Sequence, residues 1–314
     1  MFKILCLDGG GARGYFSAYM LKKIEEEFDI KIHEYFDLIV GTSTGALISG
    51  GIGLGLELDE IVNLYKYEKH RIFQKKNFNI GVFSSIYTNE NLKNLINEKY
   101  GNNSFENLKT NLIIASTDIT DKKPKIFKSW KETKISLKEA VLCSSSAPTY
   151  FDPVKIGNKY YADGCFWANN PSILALSEAL SEKSFNKNID EIKILSIGTG
   201  RNMIKFDVTN IKNWGILTWV KDISKIMIDS SVYANDTMLN RILNNRYLRI
   251  DFELNEVMNM TDIPNSILYN ADDIFENYRE DIRKFLEFNN KKSLMKQEVK
   301  YNFIQRFVKK IFKI

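Results

Sequence analysis

Residues 2–7, Phe-Lys-Ile-Leu-Cys-Leu, form a short apolar run that stops at Asp8 and the glycines Gly9, Gly10 and Gly11. A run of that length, closed by residues through which a strand does not continue, predicts a buried strand. From about Tyr15 to Phe28 the period changes, with Phe16, Met20, Ile24 and Phe28 recurring every four residues, the spacing of one helix face. Phe36 to Val40 is apolar again and predicts a second strand. Gly41-Thr42-Ser43-Thr44-Gly45 then turns the chain into another helix-compatible segment. Strand, glycine loop and helix, twice over, is the pattern of an α/β fold.

The same reading predicts helices over Glu57–Phe73 and Asn89–Lys99, the second with Asn89 as N-cap. It predicts a strand over Leu112–Ser116, a helix over Leu137–Cys143 and a hairpin strand ending at Lys159–Ala162. A proline-opened helix follows over Pro171–Glu182, then a buried strand over Ile192–Ile197. Residues 201–246 read as mostly helical, Tyr247–Phe252 as extended and Ala271–Phe288 as helical. Neither a repeat nor a Pro/Ser-rich linker interrupts the chain, so it divides most simply into one domain, 1–290, and a C-terminal helix or tail, 291–314.

Residues 38–56 carry no charge and are long enough to suggest a membrane span. Six glycines and four hydroxyl residues within them favour a buried strand, a tight turn and a buried helix instead. The first residues reach Asp8 before an export signal could be completed, and three scattered cysteines, Cys6, Cys143 and Cys165, suit neither a disulfide framework nor a zinc site. A reducing cytoplasm is the expected setting. The formal charge of +5 is uneven: residues 291–314 alone carry +7, which leaves about −2 for the rest. That distribution argues against a nucleic-acid polymer as partner.

Gly41-Thr42-Ser43-Thr44-Gly45 fits Gly-x-Ser-x-Gly between a strand and a helix, where Gly41 and Gly45 leave room for a turn that exposes the serine oxygen. A helix N-terminus beneath it favours developing negative charge. The base is the harder question, because the chain has only two histidines. His33 precedes the strand that leads to Ser43, and His70 lies among Lys69 and Arg71; both read as solvated surface residues. A Ser-His-Asp triad is therefore poorly supported, and a carboxylate acting directly on Ser43 is the alternative.

Three ordered motifs now carry a resemblance. Asp8-Gly9-Gly10-Gly11-Ala12-Arg13-Gly14 resembles the oxyanion loop of patatin-like phospholipases, Gly41-Thr42-Ser43-Thr44-Gly45 their nucleophile elbow and Asp163-Gly164 their catalytic Asp-Gly. Ser144-Ser145-Ser146-Ala147-Pro148-Thr149-Tyr150-Phe151 and Asn169-Asn170-Pro171 resemble the segments flanking that aspartate. The likeness covers roughly residues 1–200. It implies a three-layer α/β/α sandwich around a mostly parallel sheet, and calcium-independent hydrolysis of glycerophospholipid or galactolipid acyl esters without a cofactor. In this reading Ser43 is the nucleophile and Asp163 the base, with Gly9, Gly10 and Gly11 as oxyanion donors. Arg13 holds the loop or the anionic substrate. One departure is Cys165, where many members have a second glycine; it is either a small buried side chain or a change in the turn.

Two other classes compete. Gly9-x-Gly11-x-x-Gly14 also fits a dinucleotide-binding fingerprint, but that reading needs an acid at the end of the next strand, and Val40-Gly41-Thr42-Ser43 stands there. A non-catalytic lipid-binding or scaffold protein would not require every catalytic piece. At the C-terminus, Phe303, Ile304, Phe307, Val308 and Ile311 fall on one helical face and Lys300, Arg306, Lys309, Lys310 and Lys313 largely on the other. Such a helix can lie in the headgroups of an anionic bilayer, giving peripheral association with the inner face of the membrane, or dock on the domain or a partner subunit. The resemblance also leaves open a homo-oligomer and a cyclic-nucleotide activator of an antiphage effector, neither of which the residues locate. Tyr247-Leu248-Arg249-Ile250 resembles a segment present in plant storage and bacterial relatives alike, and so does not discriminate between them.

Overall fold

The computed structural model describes residues 1–75, 85–132, 134–202, 215–254 and 260–287, with the backbone alone at 216–218 and 220–222. The tail 291–314 and its expected amphipathic helix lie outside the described residues, as do 203–214 of the segment read as helical.

The most hydrophobic runs of the sequence form the centre of the sheet. Strands β1 (Phe2–Leu7), β2 (Leu38–Thr42), β3 (Asn111–Asp118) and β7 (Ile192–Ile197) pair in parallel in the order β3-β2-β1-β7, and β9 (Tyr247–Ile250) adds in parallel beyond β7. Alternate residues feed opposite faces, as a pleated strand requires. Leu5, Ile39, Ile114 and Leu195 enter one hydrophobic cluster, while Ile4, Val40, Ile113 and Ile194 enter a second. Helices α1 (Gly14–Phe28), α3 (Thr44–Leu54), α4 (Leu58–Ile72), α5 (Asn89–Tyr100), α6 (Leu137–Ser144) and α10 (Asn265–Glu287) cover the first face. The second is covered by α8 (Ser172–Leu180) and the C-terminal half of α9 (Ile216–Leu243). The result is the expected α/β/α sandwich with a mostly parallel sheet.

The uncharged stretch 38–56 is β2, a turn and α3, buried from Leu38 to Gly53. Among the described residues no helix is long and apolar enough to cross a membrane. Its glycines let neighbours approach, and Tyr100 reaches in to donate its hydroxyl to Leu47 O at 2.5 Å.

Several boundaries differ from the sequence pattern. Phe36 ends the short helix α2 (Ile32–Tyr35), so β2 starts two residues later and runs into the elbow. Thr88 caps α5, accepting from Glu90 N, while the Asn89 side chain is taken by the backbone of Asp152. Pro171 is the N-cap of α8, and α10 begins at Asn265 rather than at Ala271. Strand β4 (Lys123–Lys128) was hidden by its lysines and Pro124; it pairs with β3 alone, and an edge accommodates proline. The antiparallel hairpin β5 (Val154–Ile156) and β6 (Lys159–Asp163) joins the other edge of β3, and α7 (Cys165–Ala168) is a single turn without a periodic signal.

Candidate active site

β3 is the ruler on which the site is laid out. Along one edge it pairs first with β2, Thr42 opposite Ala115, and then with β6, Asp163 opposite Ser116. Two strands arriving from opposite directions thus meet end to end against consecutive β3 residues. Ser43 leaves the end of β2 and Asp163 is the end of β6, so 120 residues of chain separation collapse to adjacent places.

Ser43 sits between β2 and α3 with φ 57° and ψ −121°, a left-handed conformation that disfavours any side chain. Neighbouring bonds hold it there. Its N–H donates to Ser144 Oγ at 2.9 Å, Ser144 Oγ donates to Ala115 O at 2.5 Å, and Ser145 Oγ donates to Ser43 O at 3.2 Å. The glycines of the elbow are sterically required, because a Cβ on Gly45 would lie 2.2 Å from Leu7 O and one on Gly41 would lie 2.3 Å from Gly45 O. The serine hydroxyl therefore stands at the N-terminus of α3, where the helix dipole favours negative charge.

Asp163 is fully buried, and its own N–H donates to Ser146 O at 3.0 Å. Carboxylate Oδ1 accepts the N–H of Cys165 at 2.8 Å, across Gly164, which caps α7. Burial pushes the carboxyl up from 3.8 to about 6, and hydrogen bonding from Ser43 and then from Cys165 pulls it partly back. Oδ2 is buried without a partner of ordinary hydrogen-bond geometry, so the Ser43 contact is loose in this state, as catalytic contacts without substrate commonly are. Cys165 packs beside Asp163, where burial and the Asp163 charge hold its thiol well above the usual range. It is a protonated neighbour, not a thiolate nucleophile.

The amides of the glycine loop differ in their hydrogen bonding. Gly9 lies against Ser43 and Asn169, but its N–H is already committed to Asn169 O at 3.0 Å. Its assignment as an oxyanion donor therefore does not suit this geometry: a donor engaged by a carbonyl cannot also meet an oxyanion. Among the described residues Gly10 and Gly11 have no such bond, and Gly11 takes φ +61°, which glycine tolerates best. Met260 lies across Gly11 and accepts from Ala12 N at 2.8 Å. Arg13, half-buried on the turn after Gly11, has its charge opposed by burial and supported by Asp229 and Asp251. Those partners suit holding the loop rather than gripping substrate.

The structure adds a group of residues that sequence reading did not assemble. Arg249 on β9 donates to both oxygens of Asp8 at 2.9 and 2.6 Å, to Asp251 at 2.8 Å and to Ser196 Oγ at 2.7 Å. Burial opposes its charge, and the two carboxylates overcome that. Asp251 in turn accepts Gly200 N at 3.0 Å, and Thr199 Oγ1 donates to Gly9 O at 2.8 Å. The ends of β1, β7 and β9 are thereby locked under the glycine loop. The one available signal was an arginine isolated in an apolar strand pattern.

Neither histidine approaches the site. His33 lies on α2, before the start of β2, and so is separated from Ser43 by the length of a strand, about 16 Å at 3.3 Å per residue. It is part-buried rather than solvated, and burial lowers its pKa. His70 is exposed near the end of α4. A narrow, almost wholly apolar cavity opens beside Ser43, walled by Leu47, Tyr65, Ile72, Phe73, Leu92 and Phe151. The two largest clefts elsewhere on the described surface are open and polar. Among the described residues no three His, Cys, Asp or Glu side chains converge as a metal centre requires. A buried serine, a buried carboxylate of raised pKa, uncommitted amides and an apolar slot are together competent for acyl transfer.

Comparison with known proteins agrees with this architecture. A cGAMP-activated phospholipase of Vibrio cholerae is 31% identical over 227 residues, covering 63% of this chain and 64% of that protein. Patatin-like protein 2 of Arabidopsis thaliana is 29% identical over 301 residues, covering 81% and 74%. The chain thus spans just under two thirds of the bacterial relative. VipD from Legionella pneumophila superposes with a TM-score of 0.52 at 13% identity, over 91% of this chain and 66% of that one, a likeness of fold. The patatin-like phospholipase family matches residues 5–176, more than half of the chain, and the protein belongs to that family.

Proposed function

We propose that this protein hydrolyses acyl esters of membrane phospholipids through a Ser43–Asp163 dyad, without calcium. The observation that carries the proposal is the buried carboxylate of Asp163, its Oδ2 unsatisfied and its pKa raised, at the next β3 register to the strained Ser43. In water a carboxylate is too weak a base to take a serine proton; desolvation raises its proton affinity toward the working pH. Ser43 Oγ attacks the ester carbonyl carbon as its proton passes to Asp163. The oxyanion is received by the N–H groups of Gly10 and Gly11 and the N-terminus of α3. Asp163 then returns the proton to the departing alcohol oxygen, leaving the acyl group on Ser43. Water deprotonated by Asp163 attacks that ester, and the serine recovers its proton as the fatty acid leaves. The relative's name supports activation by a cyclic nucleotide as well, tested by adding cGAMP to the purified protein.

With Asp163 at about 6, kcat/KM on a soluble ester should rise with pH through about 6 and level above it, because only the ionised form accepts a proton. A flat profile between pH 5 and 8 would remove Asp163 as the base. The sign for stability is opposite. A carboxyl raised in the fold loses stability as pH climbs through the folded value, about 3 kcal/mol for a shift of this order. Asp163→Asn should therefore raise Tm relative to the parent at pH 8 and lose that advantage near pH 4, as thermal scans would record.

The apolar cavity supports a site for the acyl chain. Leu92→Phe fills it, so kcat/KM on long-chain p-nitrophenyl esters should fall about tenfold while the acetate ester is unaffected. Equal losses on both would disconnect the cavity from the acyl group.

A further inference from the structure

Two consecutive carbonyls of the glycine loop are pinned. Gly10 O accepts from Arg13 N at 3.3 Å, a bond made within the loop's own turn. Gly9 O is held from outside: Thr199 Oγ1, 190 residues further along the chain, donates to it at 2.8 Å, and Asn169 Nδ2 adds a longer contact at 3.5 Å. In a trans peptide the C=O and the N–H of the next residue point in opposite directions. Whatever holds Gly9 O therefore sets the direction of the Gly10 N–H, as Arg13 sets that of the Gly11 N–H. Among the described residues neither amide has a backbone acceptor.

The setting of Thr199 makes that hold rigid. It is 4% exposed, and the backbone on both sides of it is fixed. Gly198 N donates to Ile250 O at 2.8 Å, Ser17 Oγ donates to Gly198 O at 2.9 Å, and Gly200 N donates to Asp251 Oδ1 at 3.0 Å. The threonine hydroxyl also stands against the Cα of Gly10, where an added Cβ would lie 2.1 Å from Thr199 Oγ1. Glycine at position 10 is what lets the threonine come so close. Gly9 in turn abuts the nucleophile, since a Cβ on it would come 3.2 Å from the Ser43 Cβ. The Gly9–Gly10 peptide therefore runs from the nucleophile to the threonine.

We propose that Thr199 is a positioning residue for ester hydrolysis: by holding the Gly9 carbonyl, its hydroxyl aims the Gly10 N–H at the carbonyl oxygen of the ester attacked by Ser43. The role rests on the Ser43–Asp163 reading and adds to it the side chain that orients one oxyanion donor. Charge develops on that oxygen only as Ser43 Oγ bonds to the carbonyl carbon. A misdirected amide therefore weakens the transition state and leaves the bound ester nearly as before.

Thr199→Val in the full-length protein keeps the outline of the side chain and removes the hydroxyl. On a soluble p-nitrophenyl ester, kcat per active site titrated with a fluorophosphonate should fall about 10- to 100-fold, the scale of a slightly misplaced catalytic group, while KM stays close to the parent's. Thr199→Ser, which restores the donor, should recover most of the rate. A trifluoromethyl ketone reports on the same amide without turnover. Ser43 Oγ adds to its carbonyl carbon, the serine proton goes to Asp163 and the carbonyl oxygen becomes the anion, so its Ki should rise in Thr199→Val by about the factor by which kcat falls. Thr199→Ala is expected to behave alike, with less steric demand, should circular dichroism show that the valine variant does not fold. Parent values of kcat and Ki in the folded valine or alanine variant overturn the proposal and leave the dyad standing. An equal loss in Thr199→Ser does the same, since it would make the residue a matter of packing. A parent that cleaves no ester, or Ser43→Ala as active as the parent, defeats the dyad reading itself and the role of Thr199 with it.

Discussion

Replacing Ser43 with alanine is expected to lower kcat on any ester by several orders of magnitude, of order 10⁶ where a serine nucleophile acts as a unit with its base. Circular dichroism and Tm should change little, because the Ser43 backbone bonds to Ser144, Ser145, Ala46 and Leu47 do not involve the hydroxyl. Ser43→Gly separates strain from chemistry. It is equally inactive, yet at φ 57° a glycine relieves a conformation that costs about 1–3 kcal/mol, offset in part by its greater freedom when unfolded. Tm of the glycine variant should therefore equal or exceed that of the alanine variant. Ester hydrolysis by Ser43→Ala at the parent's rate would dismiss the dyad, whatever the stabilities.

The second large effect concerns stability. Arg249→Met removes the cation from between Asp8 and Asp251, whose side chains are 3% and 2% exposed. Two buried carboxylates are left facing each other, and breaking a buried pair in this way costs about 3–5 kcal/mol. Tm should drop by about 10 °C at neutral pH on the usual scaling for a chain of this size. The loss should shrink under mildly acidic conditions, because the buried carboxyl of Asp8, already pushed up to about 6 by burial with Arg249 in place, takes up a proton once that cation is gone. An unchanged Tm at pH 7 would show that the cluster contributes nothing net. Because the same cluster tethers Gly9 through Thr199 and the end of β7, surviving folded enzyme should also show reduced kcat.

The pieces of the candidate site were largely legible in the chain. Glycines and hydroxyl residues in an otherwise apolar segment announced a tight turn rather than a membrane span, and two histidines in unsuitable settings left a carboxylate as the candidate base. The strands Phe2–Leu7 and Ile192–Ile197 were legible to the residue, since burial on both faces leaves a continuous apolar run with sharp ends. Elements whose stability comes from a neighbour were not. Strand β4 forms because β3 offers it an edge, and the helix cap fell to Thr88 because Asp152, 63 residues further along the chain, claims the Asn89 side chain.

Sequence by itself determined which residues are available for chemistry: a serine in a turn that only flanking glycines permit, an Asp-Gly far downstream and a glycine loop after the first strand. These are local properties, fixed by side-chain size and backbone freedom. Tertiary structure decided how they are placed and what surrounds them. Register along β3 brings Thr42 and Asp163 to adjacent residues, and burial there turns an ordinary aspartate into one titrating near 6. The carbonyl of Asn169 takes the amide of Gly9 and leaves those of Gly10 and Gly11. Arg249, a lone charge in an apolar strand pattern, becomes the cation that two buried carboxylates share. Register, desolvation and competition for one hydrogen bond depend on groups distant in the chain, and only the folded arrangement brings those groups together.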